Sequence, residues 1–130
     1  MLRKMFYMIG MKMLLIEWMK NIGIKLIGSS LKKELPEFEQ DELRRYEIVF
    51  SGIVQDVGFR YEMWLMAEKL ELTGFAENLP NGDVYAEIQG EKNRIMYLIE
   101  YMKAIPRICI ENMAIDEMEL REEKKFTPIY

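Results

Sequence analysis

Residues 52–60 read Gly-Ile-Val-Gln-Asp-Val-Gly-Phe-Arg, and they join a run with strand character to a run with helix character. A turn that leads into a helix leaves backbone N–H groups without partners, and the helix dipole makes that end positive. Gly52 and Gly58 can adopt the unusual backbone angles that a close-fitting loop requires. Arg60 supplies a guanidinium whose forked donors suit the oxygens of a phosphate. The segment therefore predicts an oxyanion-binding loop between a strand and a helix.

The segments around this loop show a regular order of strand and helix patterns. Tyr46, Ile48 and Phe50 recur at every second position, which indicates a strand, and the apolar residues from Phe59 onward recur at helical spacing. The complete prediction is strands at 46–51, 75–79, 84–89 and 110–120, helices at 59–70 and 91–103, and a short edge strand at 126–130. This βαββαβ order is an α+β arrangement, the split βαβ unit, in which two helices cover one face of an antiparallel sheet.

Residues 1–45 differ from the rest of the chain in composition. We expect them to form a basic and apolar extension that ends in a linker, followed by one domain at 46–130. The extension is predicted to be partly helical, with a short helix at 31–34 before Pro36. Residues 36–45 are charged and predict either a linker or a second short helix.

Residues 1–28 are rich in methionine and other apolar residues, interrupted by lysines. Their longest uncharged run, at 5–11, is far shorter than the ~20 residues of a membrane-spanning helix. A loosely attached helix, or a start upstream of the true first residue, is favoured over membrane contact through this segment.

The composition excludes several kinds of chemistry. The chain has no histidine and a single cysteine, Cys109, which excludes catalysis by imidazole, a disulfide within the chain and a zinc site built on these ligands. We expect Cys109 to be buried as a small apolar residue, and a lone thiol fits a reducing, cytoplasmic location. Residues 46–130 are acidic, which argues against nucleic acid as a partner.

A second motif follows the oxyanion loop, and the two resemble the signature pair of the acylphosphatase family. They read Gly52-x-Val54-Gln55-x-Val57-Gly58-Phe59-Arg60 and Gly74-Phe75-x-x-Asn78-Leu79-Pro80-Asn81-Gly82-x-Val84. The resemblance covers residues 46–130. It implies a ferredoxin-like fold and metal-independent hydrolysis of acyl phosphates, the mixed anhydrides of a carboxylic acid and phosphoric acid. It also implies no cofactor, a small-molecule acyl phosphate as substrate, and a loop that inorganic phosphate or sulfate can occupy.

The resemblance assigns roles to residues of this chain. Arg60 and the loop N–H groups would hold the phosphate, and Asn78 would orient the attacking water. The predicted catalytic residues are thus Arg60 and Asn78, and the predicted phosphate-binding loop consists of Gln55, Asp56, Val57, Gly58, Phe59 and Arg60. From its chemistry alone, Gln55 either faces water or braces the loop. Because a split βαβ sheet need not place the strand of Asn78 beside the first strand, we expect Asn78 to reach the loop across its mouth.

Two residues depart from the family's pattern. Asp56 and Glu77 stand where the family normally has a glycine and a basic residue, and both bring negative charge toward a site for an anion. An Asp56 carboxylate about 4 Å from the phosphate would weaken binding strongly, whereas one turned toward solvent would be screened. The alternative therefore stays open that the domain is a catalytically weak or inactive module that binds anions or another protein.

Overall fold

A computed structural model describes residues 24–25 and 35–130. The chain divides into two compact units, Met1–Asp41 and Glu42–Tyr130, so the second unit begins a few residues before the predicted boundary. Most of the N-terminal extension, including the predicted helix at 31–34, lies outside the described residues. Within the described residues, no helix is both long enough and apolar enough to cross a membrane.

The described part of the first unit is a short strand pair. Strand β1 (Ile24–Lys25) runs antiparallel to β2 (Glu37–Phe38), with Ile24 opposite Phe38. The prediction of a linker or a second helix for 36–45 is wrong at β2. Two residues are too few to show the alternation by which a strand is recognised in a sequence.

The second unit is a five-stranded sheet with two helices. Its elements are β3 (Leu43–Ile53), α1 (Phe59–Lys69), β4 (Thr73–Asn78), β5 (Val84–Glu91), α2 (Lys92–Ala104), β6 (Cys109–Met118) and β7 (Phe126–Ile129). The strand order across the sheet is β6-β3-β5-β4-β7, and every neighbouring pair is antiparallel except β4 and β7. The predicted βαββαβ fold is confirmed. The sheet is mixed rather than purely antiparallel, because the edge strand β7 runs parallel to β4.

The core lies between the sheet and its two helices. Alternate residues of β3 and β5, such as Ile48, Phe50 and Ala86, are fully buried because one face of each strand turns toward the helices. The ring of Phe59, at the start of α1, lies 4.9 Å from the ring of Phe50. This contact fixes the N-terminal turn of α1 against β3, immediately after the predicted oxyanion loop.

Strand β3 begins at Leu43 rather than at the predicted Tyr46, and it includes a fully buried arginine. Arg45 donates hydrogen bonds of 2.7 Å to Glu87 and of 2.7 Å to Glu123. Burial alone would raise the pKa of Glu87, but hydrogen bonds from Tyr85 and Arg45 outweigh it and hold that pKa below its ordinary value. The two carboxylates compensate the buried guanidinium, which explains why a charged residue continues the strand.

Candidate active site

The predicted oxyanion loop leaves the sheet at a β-bulge. The register between β3 and β6 shifts between Ser51 and Gly52, and Gly52 has φ +127°. A side chain at Gly52 would collide with the carbonyl oxygen of Cys109, so this close approach of two strands requires glycine. The loop ends at Gly58, which has φ +76° and caps α1, and the first helical bond runs from the Glu62 N–H to the Gly58 carbonyl at 3.0 Å.

Gln55 braces this loop against the turn between β4 and β5. Its side-chain amide donates hydrogen bonds of 2.8 Å to the Leu79 carbonyl and of 2.8 Å to the Asp83 carbonyl. The same turn is closed by the Leu79 N–H, which donates to the Asp83 carbonyl at 2.8 Å. Of the two sequence-based interpretations of Gln55, bracing is therefore the one that its contacts support.

Arg60 extends from the first turn of α1 to the C-terminal end of β7. Its Nη1 donates a hydrogen bond of 2.6 Å to the Ile129 carbonyl, and its guanidinium lies 4.4 Å from the centre of the Tyr130 ring. Ile129 is the register partner of Glu77 in β4. The guanidinium is thus held beside the end of β4, and within the described chain its other N–H groups have no hydrogen-bond partner, which leaves them available to an anion.

Asn78 is the last residue of β4 and lies on the face of the sheet that the helices cover, together with the fully buried Ala76. Its Oδ1 atom is buried and accepts no hydrogen bond from the described residues. A buried amide oxygen without a donor is costly unless a water or ligand supplies one. The atom is therefore suited to accept a hydrogen bond from a water at this site.

Two contacts involve the chain neighbours of Asn78. Arg60 bonds to Ile129, which lies opposite the residue before Asn78, and Gln55 bonds to Leu79, the residue after it. Strand β5 separates β3 from β4 in the sheet, so the strand that carries Asn78 is not adjacent to the strand that leads into the loop.

The two acidic residues near the site differ in where they point. Glu77 precedes Asn78 in a strand, so its side chain lies on the opposite face of the sheet from Asn78. Asp56 is exposed, has φ +61°, and forms no hydrogen bond or ion pair with any other described residue. Of these two acidic residues, only Asp56 therefore brings a negative charge that could disfavour an anion in the loop.

The structure shows one further residue, Arg107, that contacts the loop and that the sequence did not predict. Arg107, from the connection between α2 and β6, donates a hydrogen bond of 2.7 Å to the Val57 carbonyl and forms an ion pair with Glu62. No motif marks it, since an arginine after Pro106 is ordinary in a turn. The expectation for its neighbour Cys109 is wrong, because Cys109 is exposed on an edge strand of the sheet.

The family model for acylphosphatase matches residues 46–128, the segment that contains the loop, Arg60 and Asn78. The chain belongs to the acylphosphatase family. The family resemblance predicted from the two motifs is thereby confirmed. Among the described residues, no three or more acidic, cysteine or histidine side chains cluster in a way that could hold a metal ion.

Curated acylphosphatases and solved structures show the same relationship. The chain is 46% identical to an acylphosphatase from Clostridium beijerinckii over 59 residues, which are 45% of this chain and 66% of that one. It is 39% identical to an acylphosphatase from Acaryochloris marina over 79 residues, 60% of this chain and 85% of that one. The crystal structure of acylphosphatase from Bacillus subtilis superposes with a TM-score of 0.63 at 30% identity, covering 68% of this chain and all of that one.

Proposed function

We propose that this protein hydrolyses acyl phosphates to a carboxylate and inorganic phosphate. One observation carries the proposal beyond family membership. Arg60 bonds to Ile129, the register partner of Glu77, and Gln55 bonds to Leu79, so both contacts involve the neighbours of Asn78. This arrangement supports a pocket in which a phosphate, a cation and a water-orienting amide meet.

The phosphate would lie in the loop of residues 55–60, against backbone N–H groups at the N-terminus of α1. Arg60 would bind two phosphate oxygens and compensate the charge that spreads over them in the transition state. Its contacts with Ile129 and Tyr130 hold the guanidinium in place before substrate arrives. The fixed position reduces the reorganisation that the reaction would otherwise require.

Asn78 would accept a hydrogen bond from the attacking water through its buried Oδ1 atom. The water oxygen attacks phosphorus in line with the bond to the carboxylate oxygen. That bond breaks, the carboxylate departs with the electron pair, and the water proton passes to a phosphate oxygen. A carboxylate is stable as an anion and needs no general acid to leave, so positioning and electrostatic stabilisation are sufficient.

Inorganic phosphate and sulfate, which share the charge and shape of the transferred group, would occupy the same loop and inhibit competitively. The acidic net charge of the chain supports the view that nucleic acid is not a partner, and membrane contact through residues 1–28 is not favoured. A cytoplasmic location remains part of the proposal, and the exposed thiol of Cys109 suits a reducing compartment.

A second function is favoured by one specific observation. Asp56 carries an exposed carboxylate that pairs with no other described residue, within the proposed phosphate loop and in a left-handed backbone conformation. Its charge would repel a phosphate in the loop by about 1 kcal/mol at 4 Å in water, and by more in a desolvated pocket. If this repulsion dominates, the domain is a catalytically weak or inactive module that binds anions or another protein.

Hydrolysis of benzoyl phosphate by the purified full chain tests the first function. We expect turnover that falls at least about hundredfold in Arg60→Ala and in Asn78→Ala, the scale of losing one oxyanion donor. Arg121→Ala and Asn112→Ala are the matched controls, since both residues are exposed and lie outside the proposed site. An inert unmodified protein that also remains inert after Asp56→Gly would favour the second function.

A further inference from the structure

Arg107 contacts the phosphate loop from outside the two family motifs. Its Nε donates a hydrogen bond of 2.7 Å to the Val57 carbonyl, and its Nη2 pairs with Glu62 in the first turn of α1. The same Nη2 would lie 3.2 Å from a Cβ atom at Gly58. The guanidinium therefore covers one side of the loop at residues 57 and 58.

The hydrogen bond to Val57 determines the direction of the next N–H group. No peptide bond in the described chain is cis, so the Val57–Gly58 peptide is trans. In a trans peptide the carbonyl and the N–H point in opposite directions across the plane. With the Val57 carbonyl held toward Arg107, the Gly58 N–H points away from Arg107. Gly58 caps α1, and its N–H is one of the groups that a helix N-terminus leaves for an anion.

Glu62 keeps Arg107 in this position rather than in the pocket. The Glu62 carboxylate binds the Nη2 of Arg107 with one oxygen, and its other oxygen lies 3.5 Å from the Tyr101 hydroxyl. An arginine that already has a carboxylate partner is less available to a phosphate, because the two anions compete for the same charge. Arg107 thus differs from Arg60, whose bonds in the described chain are to a carbonyl and an aromatic ring.

We propose that Arg107 is a positioning residue that fixes the Val57–Gly58 peptide so that the Gly58 N–H points at the bound phosphate. The inference rests on the proposed hydrolysis of acyl phosphates by the same loop. Without Arg107 the peptide is free to rotate, and the loop loses one oriented donor for part of the time. Binding of phosphate and stabilisation of the transition state then weaken together.

The test compares Arg107→Gln and Arg107→Lys with Arg121→Gln in the full chain. Arg121 is a matched control because its side chain is 59% exposed, against 52% for Arg107, and it also lies near a glutamate, Glu87. We expect kcat/KM for benzoyl phosphate to fall about tenfold in Arg107→Gln and the inhibition constant of inorganic phosphate to rise about tenfold. Lysine can donate to the Val57 carbonyl, so Arg107→Lys should recover part of both losses.

The amide signal of Gly58 in ¹H–¹⁵N spectra, followed during titration with inorganic phosphate, distinguishes a positioning role of Arg107 from a purely structural one. We expect phosphate to shift this signal in the unmodified protein but not in Arg107→Gln. The unfolding of Arg107→Gln should remain cooperative. Equal kinetics and equal Gly58 shifts in Arg107→Gln and Arg121→Gln would overturn the inference. If the unmodified protein binds phosphate without hydrolysing it, the proposed function fails but the Gly58 signal still decides the role of Arg107. Absence of both turnover and phosphate binding would refute the two together.

Discussion

Arg60 donates a hydrogen bond of 2.6 Å to the carbonyl of Ile129, which connects the first turn of α1 with the edge strand β7. Because β7 runs parallel to β4, with Ile129 beside Glu77, this bond holds the guanidinium at the end of the strand that carries Asn78. The short edge strand therefore helps to support the proposed site. Without β7, the Arg60 side chain would lose its hydrogen bond to the Ile129 carbonyl.

Removal of the Tyr130 ring should loosen Arg60. The ring lies 4.4 Å from the guanidinium, and a cation–π contact at an exposed site contributes about 0.5–1 kcal/mol. We expect Tyr130→Ala to lower kcat/KM for benzoyl phosphate by about two- to fivefold, mainly through KM, since the ground-state position of Arg60 is affected. Tyr130→Phe keeps the ring and is the matched control. Equal kcat/KM values for Tyr130→Phe and Tyr130→Ala would exclude this role for the ring.

The sequence predicts those parts of the site that lie in local patterns. Alternation marked β3 and β5, helical spacing marked α1, and the two motifs marked Arg60 and Asn78. The partners of these residues could not be predicted, because they depend on how distant strands are aligned. Gln55 bonds to Leu79 and Asp83 only because the sheet brings the β4–β5 turn beside the loop.

The chemical character of a residue was a misleading signal of its burial at Arg45 in β3 and at Cys109 in β6. Arg44 and Arg45 read as part of a linker, yet Arg45 is fully buried because Glu87 and Glu123 meet it from other elements. Cys109 was expected to be buried from its chemistry, yet it is exposed, since β6 forms an edge of the sheet. In both cases the environment of the residue is set by tertiary contacts that its neighbours in sequence do not reveal.

Loss of the Gln55 side chain should reduce both stability and activity. Gln55→Ala removes two hydrogen bonds, each contributing about 0.5–1.5 kcal/mol, so we expect unfolding free energy to fall by about 1–3 kcal/mol. The loop would also move relative to Asn78, and kcat/KM should fall about tenfold because catalysis depends on alignment. Urea denaturation and steady-state kinetics measure the two effects.

Gln89→Ala is the control that separates these effects. Gln89 also forms two hydrogen bonds to a backbone, accepting from the Arg121 N–H at 3.0 Å and donating to the Arg121 carbonyl at 2.8 Å. Its Oε1 also accepts a hydrogen bond of 3.2 Å from the Nη1 of the buried Arg45, so its loss should lower stability by at least as much as the loss of Gln55. Gln89 lies outside the proposed site, so kcat/KM should stay within about twofold. If Gln89→Ala reduced kcat/KM as much as Gln55→Ala, general destabilisation would explain the result.

Acid should weaken the fold partly through Glu87. The pKa of Glu87 is lowered in the folded protein relative to its ordinary value of 4.5, so the folded state binds its proton less readily than the unfolded state. This contribution to stability is fully present above about pH 4.5 and is lost as pH falls toward the folded pKa. We expect Glu87→Gln to reduce the unfolding free energy at pH 7 by about 3 kcal/mol, because buried Arg45 loses one carboxylate partner.

Urea denaturation at several values between pH 7 and pH 3 measures this dependence. The difference in unfolding free energy between the unmodified protein and Glu87→Gln should shrink as pH falls, since protonation removes the same charge from the unmodified protein. Glu119→Gln, at an exposed residue between β6 and β7, is the control and should follow the unmodified protein. A difference that stays constant over this range would show that the charge of Glu87 makes no contribution.

Replacement of Asp56 should raise activity. The carboxylate is exposed and lies in the loop that would hold a phosphate, so at about 4 Å in water it would repel the anion by about 1 kcal/mol, equivalent to about fivefold. Asp56 also has φ +61°, a conformation that glycine adopts without strain. We expect Asp56→Gly to increase kcat/KM for benzoyl phosphate about fivefold or more and to lower the inhibition constant of inorganic phosphate.

Asp56→Asn removes the charge but keeps a side chain that tolerates this conformation, so it separates the effect of the charge from the effect of backbone strain. If the charge dominates, Asp56→Asn should match Asp56→Gly, and added salt should narrow the gap between both variants and the unmodified protein. Unchanged kinetics in both variants would mean that the carboxylate points away from the anion and that the loop binds phosphate as well with aspartate as with glycine.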